Sequence, residues 1–190
     1  MYDFFLYTFM HAVEPLNMFF NPVDINNDVE RLIFADDAFD LKKFSWHNQA
    51  SLRQSDDWFA GTGSLYDYNA QQFVGSTASY TQTSEKLAGS YLEMMIKFVE
   101  GHAAEEGVKI GRVRLMRLLP KTCYTLHTDL EEFRYHIPVQ TNNSNFFVID
   151  NNVYRMPTAG QLYRFKTNAA HTAVNASTEP RTHIVFDTFT

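Results

Sequence analysis

His127-Thr128-Asp129 sets an imidazole and a carboxylate two residues apart, and in an extended strand residues i and i+2 project from the same face. Both side chains could therefore reach one cation. A third donor, His171, lies far along the chain in a separate segment of β character. Two His and one carboxylate form the facial donor set that suits a non-heme Fe(II) ion, leaving coordination positions open for O2 and a co-substrate. The pair alone is weak evidence: with 7 His, composition gives roughly 0.4 His-x-Asp pairs per chain by chance. A surface His beside a solvated carboxylate would read identically.

Other residues strengthen the pattern. Arg181 follows His171 in the next β segment and offers a planar, two-pronged donor for a carboxylate. Arg134 and His136 form an i, i+2 pair, and so do Arg181 and His183. Tyr135, Ile137, Ile184 and Phe186 fall on the opposite faces and are apolar. A strand with one face in water would alternate in the same way. Three polar pairs on neighbouring segments instead describe a barrel mouth that receives a dianion beside a metal.

The elements that must hold these residues change character near residue 108. Before it, Asn27–Lys43 has helical spacing, with Asp28 and Glu30 suited to a first turn. Glu85–Glu100 places Leu87, Tyr91, Met94, Met95 and Phe98 on one stripe, with Thr83 or Ser84 as cap and Gly101 as stop. The Gly61 and Gly75 segments read as loops. From Val108 onward the runs Lys109–Leu119, Tyr124–Asp129, Phe133–Thr141, Asn145–Asp150, Val153–Met156, Gln161–Lys166, Ala170–Asn175 and Arg181–Phe189 predict strands, with a two-residue turn at Asn151-Asn152. Short strands at this spacing predict a mainly β protein with flanking helices. The architecture is a double-stranded β-helix, the cupin-like jelly roll, with the helices on the outer face of one sheet. The chain reads as one domain, 1–190, in which 1–108 is a helical and loop part packed on the barrel and 109–190 is the core carrying the metal site.

Composition bounds the partners. The formal net charge is −6 and no basic stripe is visible, so nucleic acid is not expected to bind. The single cysteine, Cys123, excludes an intramolecular disulfide framework and a multi-cysteine zinc site, and suits a reducing cytoplasm. The apolar opening MYDFFLYTFMHAVEPLNMFF lacks a basic n-region, carries Asp3 and reaches Glu14-Pro15, so aromatic packing is expected rather than a signal peptide or membrane span. His11, His47 and His102 read as exposed or capped, Trp46 and Trp58 as packing residues. Tyr124 and Tyr163 flank the metal segments and are candidates to contact a co-substrate or substrate.

The ordered motifs Arg112-Val-Arg-Leu, Leu119-Pro, His127-Thr-Asp129, Arg134-Tyr-His-Ile-Pro138, Met156, Gly160-Gln-Leu-Tyr163, His171-Thr-Ala-Val-Asn175 and Arg181-Thr-His-Ile-Val-Phe-Asp187 resemble the aspartyl/asparaginyl β-hydroxylase family over residues 109–189. The resemblance implies a double-stranded β-helix oxygenase that uses Fe(II), 2-oxoglutarate and O2. His127, Asp129 and His171 would bind iron. Arg181 would take the distal carboxylate of 2-oxoglutarate, with Arg134 and His136 near its metal-chelating end. His183 receives no role from the family. Animal members acting on protein domains lack the carboxylate ligand, so Asp129 makes this chain resemble the bacterial, proline-hydroxylase-like branch. The implied substrate is an amino acid, free or in a peptide. Desaturation is an alternative outcome at the same centre. Halogenation is disfavoured, since Asp129 fills the position a halide would take. A non-catalytic cupin-like module that binds metal or 2-oxoglutarate is the alternative outside enzymes.

Overall fold

The computed structural model describes residues 11–37, 39, 48–54, 57–67 and 69–190. In chain order the strands are β1 Val13–Phe19, β2 Gln49–Ser51, β3 Tyr66–Asp67, β4 Gln72–Phe73, β5 Lys109–Leu118, β6 Thr122–Cys123, β7 Phe133–Gln140, β8 Asn145–Ile149, β9 Asn152–Tyr154, β10 Gln161–Lys166, β11 His171–Asn175 and β12 Arg181–Phe189. The α-helices are α1, Pro22–Asp28, and α2, Tyr91–Glu105.

Both helices depart from the expected bounds for identifiable reasons. Asn21 caps α1 by accepting from the Val23 amide, and Pro22 supplies a preset φ in the first turn, so the helix starts before Asn27. It continues as a π-helical stretch, Val29–Phe34. Positions 38 and 40–43 of the expected helix lie outside the described residues. Ser84 caps only a short 3-10 turn, Glu85–Leu87. The cap of α2 is Ser90, which accepts from the Glu93 amide, while the Glu93 carboxylate accepts from the Gly89 amide. Gly101 does not stop the helix, which runs on to Glu105. The buried stripe is Leu92, Met95, Ile96, Val99 and Ala103, whereas Met94 and Phe98 face outward.

A six-stranded sheet in the order β1-β10-β7-β12-β5-β2 faces a four-stranded sheet, β6-β11-β8-β9, and every ladder in both is antiparallel. Phe147 of the smaller sheet and Phe165 of the larger meet at 4.6 Å between ring centroids, in a core that also contains Leu118, Ile149, Tyr163 and Ala173. This is the jelly roll expected from the strand pattern. The helices cover the outer face of the six-stranded sheet, where Leu92, Met95 and Val99 share a core with Val113, Leu115, Tyr135, Ile137, Ile184 and Phe186.

Strand β12 is therefore buried on both sides. Its residues alternate between faces: Ile184 and Phe186 join the helices, while Arg181, His183 and Asp187 turn into the barrel. The turn between β8 and β9 is Asp150-Asn151, one residue before the expected position. Ile149 pairs with Asn152, and the turn residues have φ of 46° and 64°, the left-handed values a type I′ turn requires. Among the described residues no helix is long and apolar enough to cross a membrane.

Candidate metal centre

His127 and His171 lie directly opposite one another. The His127 amide donates to the His171 carbonyl at 3.0 Å, and the His171 amide returns a bond of 2.8 Å. Their rings are 4.3 Å apart. Asp129 is held by its amide, which donates to the Thr167 carbonyl at 3.0 Å. The expected strand Tyr124–Asp129 is not formed. This segment meets β11 through Thr122–Cys123, the Tyr124 amide on the Ala173 carbonyl and the single bridge at His127, and it then turns away and sends its Asp129 amide to the loop before β11.

The imidazoles are oriented for ligation. His127 Nδ1 lies 2.7 Å from the Thr125 carbonyl oxygen and His171 Nδ1 lies 2.9 Å from that of Ala169. A carbonyl only accepts, so each Nδ1 carries the proton and each Nε2 presents its lone pair. His127 Nε2 is 3.9 Å from Asp129 Oδ1 and His171 Nε2 is 3.5 Å from Asp129 Oδ2. One ligand atom from each of the three residues lies within 4.8 Å of the others, near the spread of atoms gathered on one ion at about 2.0–2.2 Å. The donor set thus fits a divalent transition metal. Burial pushes His127 below the ordinary histidine value and favours the neutral, ligating form. Asp129 is raised by burial, but His171 and Arg134 overcome this and hold it at about 2, so it is ionised. Side-chain exposure falls from 38% at His127 through 16% at Asp129 to 6% at His171, which puts access on the His127 side. Leu126 and Leu130 are both exposed and flank the ligand loop as an apolar rim.

Arg134 supports the carboxylate ligand directly. Its Nη1 is 2.6 Å from Asp129 Oδ2, its Nε 2.8 Å from Asp187 Oδ1, and its Nη2 3.4 Å from Glu131 Oε2. Asp187 is fully buried and also receives Arg112 Nε at 2.7 Å and Arg114 Nη2 at 2.9 and 3.1 Å. Arg112 further donates to the carbonyls of Gly61 and Gly63, tying that loop to the barrel. Gly111 lets the Thr77 turn pack on β5, since a Cβ there would come within 2.3 Å of the Thr77 carbonyl oxygen. Burial raises the Asp187 carboxyl, yet the three guanidiniums override it and hold it well below the carboxylate range. Burial drives Arg114 down to about 10 against the pull of Asp187. Three cations meet at this one buried anion, and Arg134 is also paired with Asp129 and Glu131, so the charges of the network balance. Arg112, Arg114 and Asp187 had no role in the sequence reading. The signal was present in the Arg-x-Arg alternation, but its anion lies at the far end of the chain.

Asp187→Asn is expected to destabilise the fold by about 3–5 kcal/mol, because it strands buried guanidiniums. Chemical denaturation at neutral pH measures this. The native carboxyl titrates below its unfolded value, so its contribution is complete above roughly pH 4 and is lost as pH falls further. The Asn variant should lack that acid-linked loss.

Arg181 and His136 are both buried. Arg181 is 2% exposed, and among the described residues no carboxylate pairs with it. Its Cζ stands 4.5 Å from the centre of the Phe147 ring, and burial lowers the guanidinium to about 10. Burial, followed by nearby Arg181, pushes His136 far below the ordinary histidine value. Phe165 stands between His136 and His171, with centroids 5.0 and 5.2 Å away. Of the remaining residues, Trp58 is buried and donates to Asp36 Oδ2, and Tyr163 Oη accepts from the Thr158 amide. His102 lies 3.6 Å from Glu106, and His11 is exposed. Trp46 and His47 lie outside the described residues.

The sequence profile of the aspartyl/asparaginyl beta-hydroxylase family matches residues 23–190, well beyond the stretch that carries the motif resemblance. No curated protein matches by sequence. Among solved structures, the viral collagen prolyl hydroxylase from Paramecium Bursaria Chlorella virus-1, determined as its 2OG complex, is similar with a TM-score of 0.58 and 8% identity. The match covers 94% of this chain and 96% of that one. This likeness shows the fold. A 2OG-Fe(II) oxygenase family protein from Burkholderia pseudomallei matches with a TM-score of 0.38 and 20% identity over 43% of this chain, and the plu4264 protein from Photorhabdus luminescens with 0.34 and 16% over 40%. The chain spans 44% and 59% of those two proteins.

Proposed function

From the premise that the chain belongs to the aspartyl/asparaginyl β-hydroxylase family, we propose that it is an Fe(II)- and 2-oxoglutarate-dependent dioxygenase. It would hydroxylate a C–H bond of an amino acid or peptidyl residue, with O2 consumed and succinate and CO2 released. The observation that carries this reading is the convergence of His127 Nε2, His171 Nε2 and the Asp129 carboxylate, with both Nδ1 protons fixed by backbone carbonyls.

The roles of the residues follow from their surroundings. His127, Asp129 and His171 would hold the iron, which supplies O2 activation and the oxidising chemistry when bound. Arg134 keeps Asp129 ionised and fixed in direction. Arg181 is a buried cation without an acidic partner among the described residues, the kind of site a ligand carboxylate neutralises. That carboxylate would be the far end of a dicarboxylate whose near end meets the metal. Phe147 and Phe165 exclude water between the two ends.

The test is a panel of free amino acids and short peptides incubated with the full chain, Fe(II), 2-oxoglutarate and O2. The reading expects one substrate class to gain a single oxygen atom in step with succinate formation. Absence of succinate formation across the panel, with iron bound, would overturn it.

A further inference from the structure

His183 lies two residues from Arg181 on the inner face of β12, and it is 1% exposed. Its Nδ1 lies 3.2 Å from Arg181 Nη2. A guanidinium has donors and no acceptor, so Nδ1 must be the unprotonated, accepting nitrogen. Burial first, then the Arg181 charge, holds the imidazole neutral. A neutral ring with a bare Nδ1 carries its proton on Nε2. That nitrogen is buried and has no hydrogen-bond partner among the described residues.

Its neighbours are mostly apolar. Met116 of β5 and Pro138 of β7 are its cross-strand partners, and Phe147 of the facing sheet lies 6.0 Å away ring to ring. The polar groups nearby are Arg181 itself, Tyr124, whose hydroxyl acts on Arg181, and His136, whose ring is 5.8 Å away and whose Nδ1 is buried without a hydrogen-bond partner among the described residues. A donor left unmade inside a core is costly unless a ligand completes it. Arg181 beside it is a buried cation that likewise has no carboxylate partner among the described residues. One carboxylate satisfies both, accepting a hydrogen bond from each on its two oxygens.

We propose that His183 is the second anchor for the distal carboxylate of 2-oxoglutarate: its Nδ1 orients Arg181, and its Nε2–H donates to the ligand. The proposal rests on the dioxygenase reading above and adds a residue to it.

The experiment compares 2-oxoglutarate with 2-oxopentanoate, the same chain without the distal carboxylate. Affinities are measured anaerobically by calorimetry on the full chain loaded with Mn(II). Wild type should prefer 2-oxoglutarate. His183→Phe should weaken 2-oxoglutarate by roughly 10- to 100-fold, the scale of a hydrogen bond to a charged group, and change 2-oxopentanoate less than about threefold. His183→Gln keeps a donor near the Nε2 position and should recover much of the preference, whereas His183→Asn keeps only the acceptor for Arg181 and should not. The imidazole 15N shifts of the ligand-free protein should show the Nε2–H tautomer. If His183→Phe weakens both ligands equally, or if Nδ1 bears the proton, His183 is structural and the proposal fails while the dioxygenase reading stands. If wild type binds the two ligands alike, the co-substrate reading fails and the proposal with it.

Discussion

Asp129→Ala and His171→Ala are each expected to abolish stoichiometric Fe(II) binding and to lower 2-oxoglutarate turnover by on the order of 10³-fold or more. The magnitude follows from what the centre contains. Three protein atoms gather within 4.8 Å, so removing one leaves two, with solvent in place of an oriented ligand. The two variants should differ in stability. His171 is a buried strand residue whose Nδ1 bonds the Ala169 carbonyl, so its loss also removes a packed ring. Asp129 sits in a loop against Arg134, so its loss leaves a buried guanidinium with Asp187 and Glu131. Metal content and initial rate of succinate formation measure the first effect, and thermal unfolding separates the second. Full turnover in either variant would sink the ligand assignment.

Arg181→Met is expected to produce two effects of opposite sign. Removing the guanidinium deletes the charged partner of the distal carboxylate. Truncating one side of such a buried pair costs about 2–5 kcal/mol, so 2-oxoglutarate should bind roughly 30- to several-thousandfold more weakly. The ligand-free protein should at the same time become more stable, by about 1 kcal/mol or more. In the free state Arg181 is a desolvated cation without an acid beside it among the described residues, held against Phe147. A methionine of similar reach replaces that cost with apolar contact. Calorimetry with 2-oxoglutarate and denaturant unfolding without it test the two halves. A variant that is destabilised and binds normally would mean that Arg181 is a structural residue.

Much of the barrel was legible because its strands announce themselves. Gln161–Lys166 and Arg181–Phe189 have the bounds read from sequence, each with period-2 alternation between turn residues. β1 escaped because Pro15 interrupts it. Proline is tolerated there because β1 is the outermost strand of its sheet, and the register shifts between Pro15 and Phe19. β2 has three residues, too few to show any period. The helix stripe was set one position off because Met94 and Phe98 are as apolar as their buried neighbours, and apolarity alone does not say which face meets the sheet.

The site shows the same division between local and long-range information. His127 and Asp129 were singled out as an i, i+2 pair on a strand. The structure brings them together by a different route, a single bridge followed by a turn anchored on Thr167. The bonding of Arg112 and Arg114 to Asp187 depends on β5 and β12 being neighbours in the sheet, which topology decides and no short motif records. The tautomers of His127, His171 and His183 likewise depend on which atom each Nδ1 meets.

The most direct test of the central claim is an anaerobic equilibrium titration of the full chain with Fe(II), repeated on a variant carrying Asp129→Ala and His171→Ala together. The account predicts one tightly bound iron per wild-type chain and none in the variant. Equal binding by both proteins, or no stoichiometric binding by wild type, would contradict it.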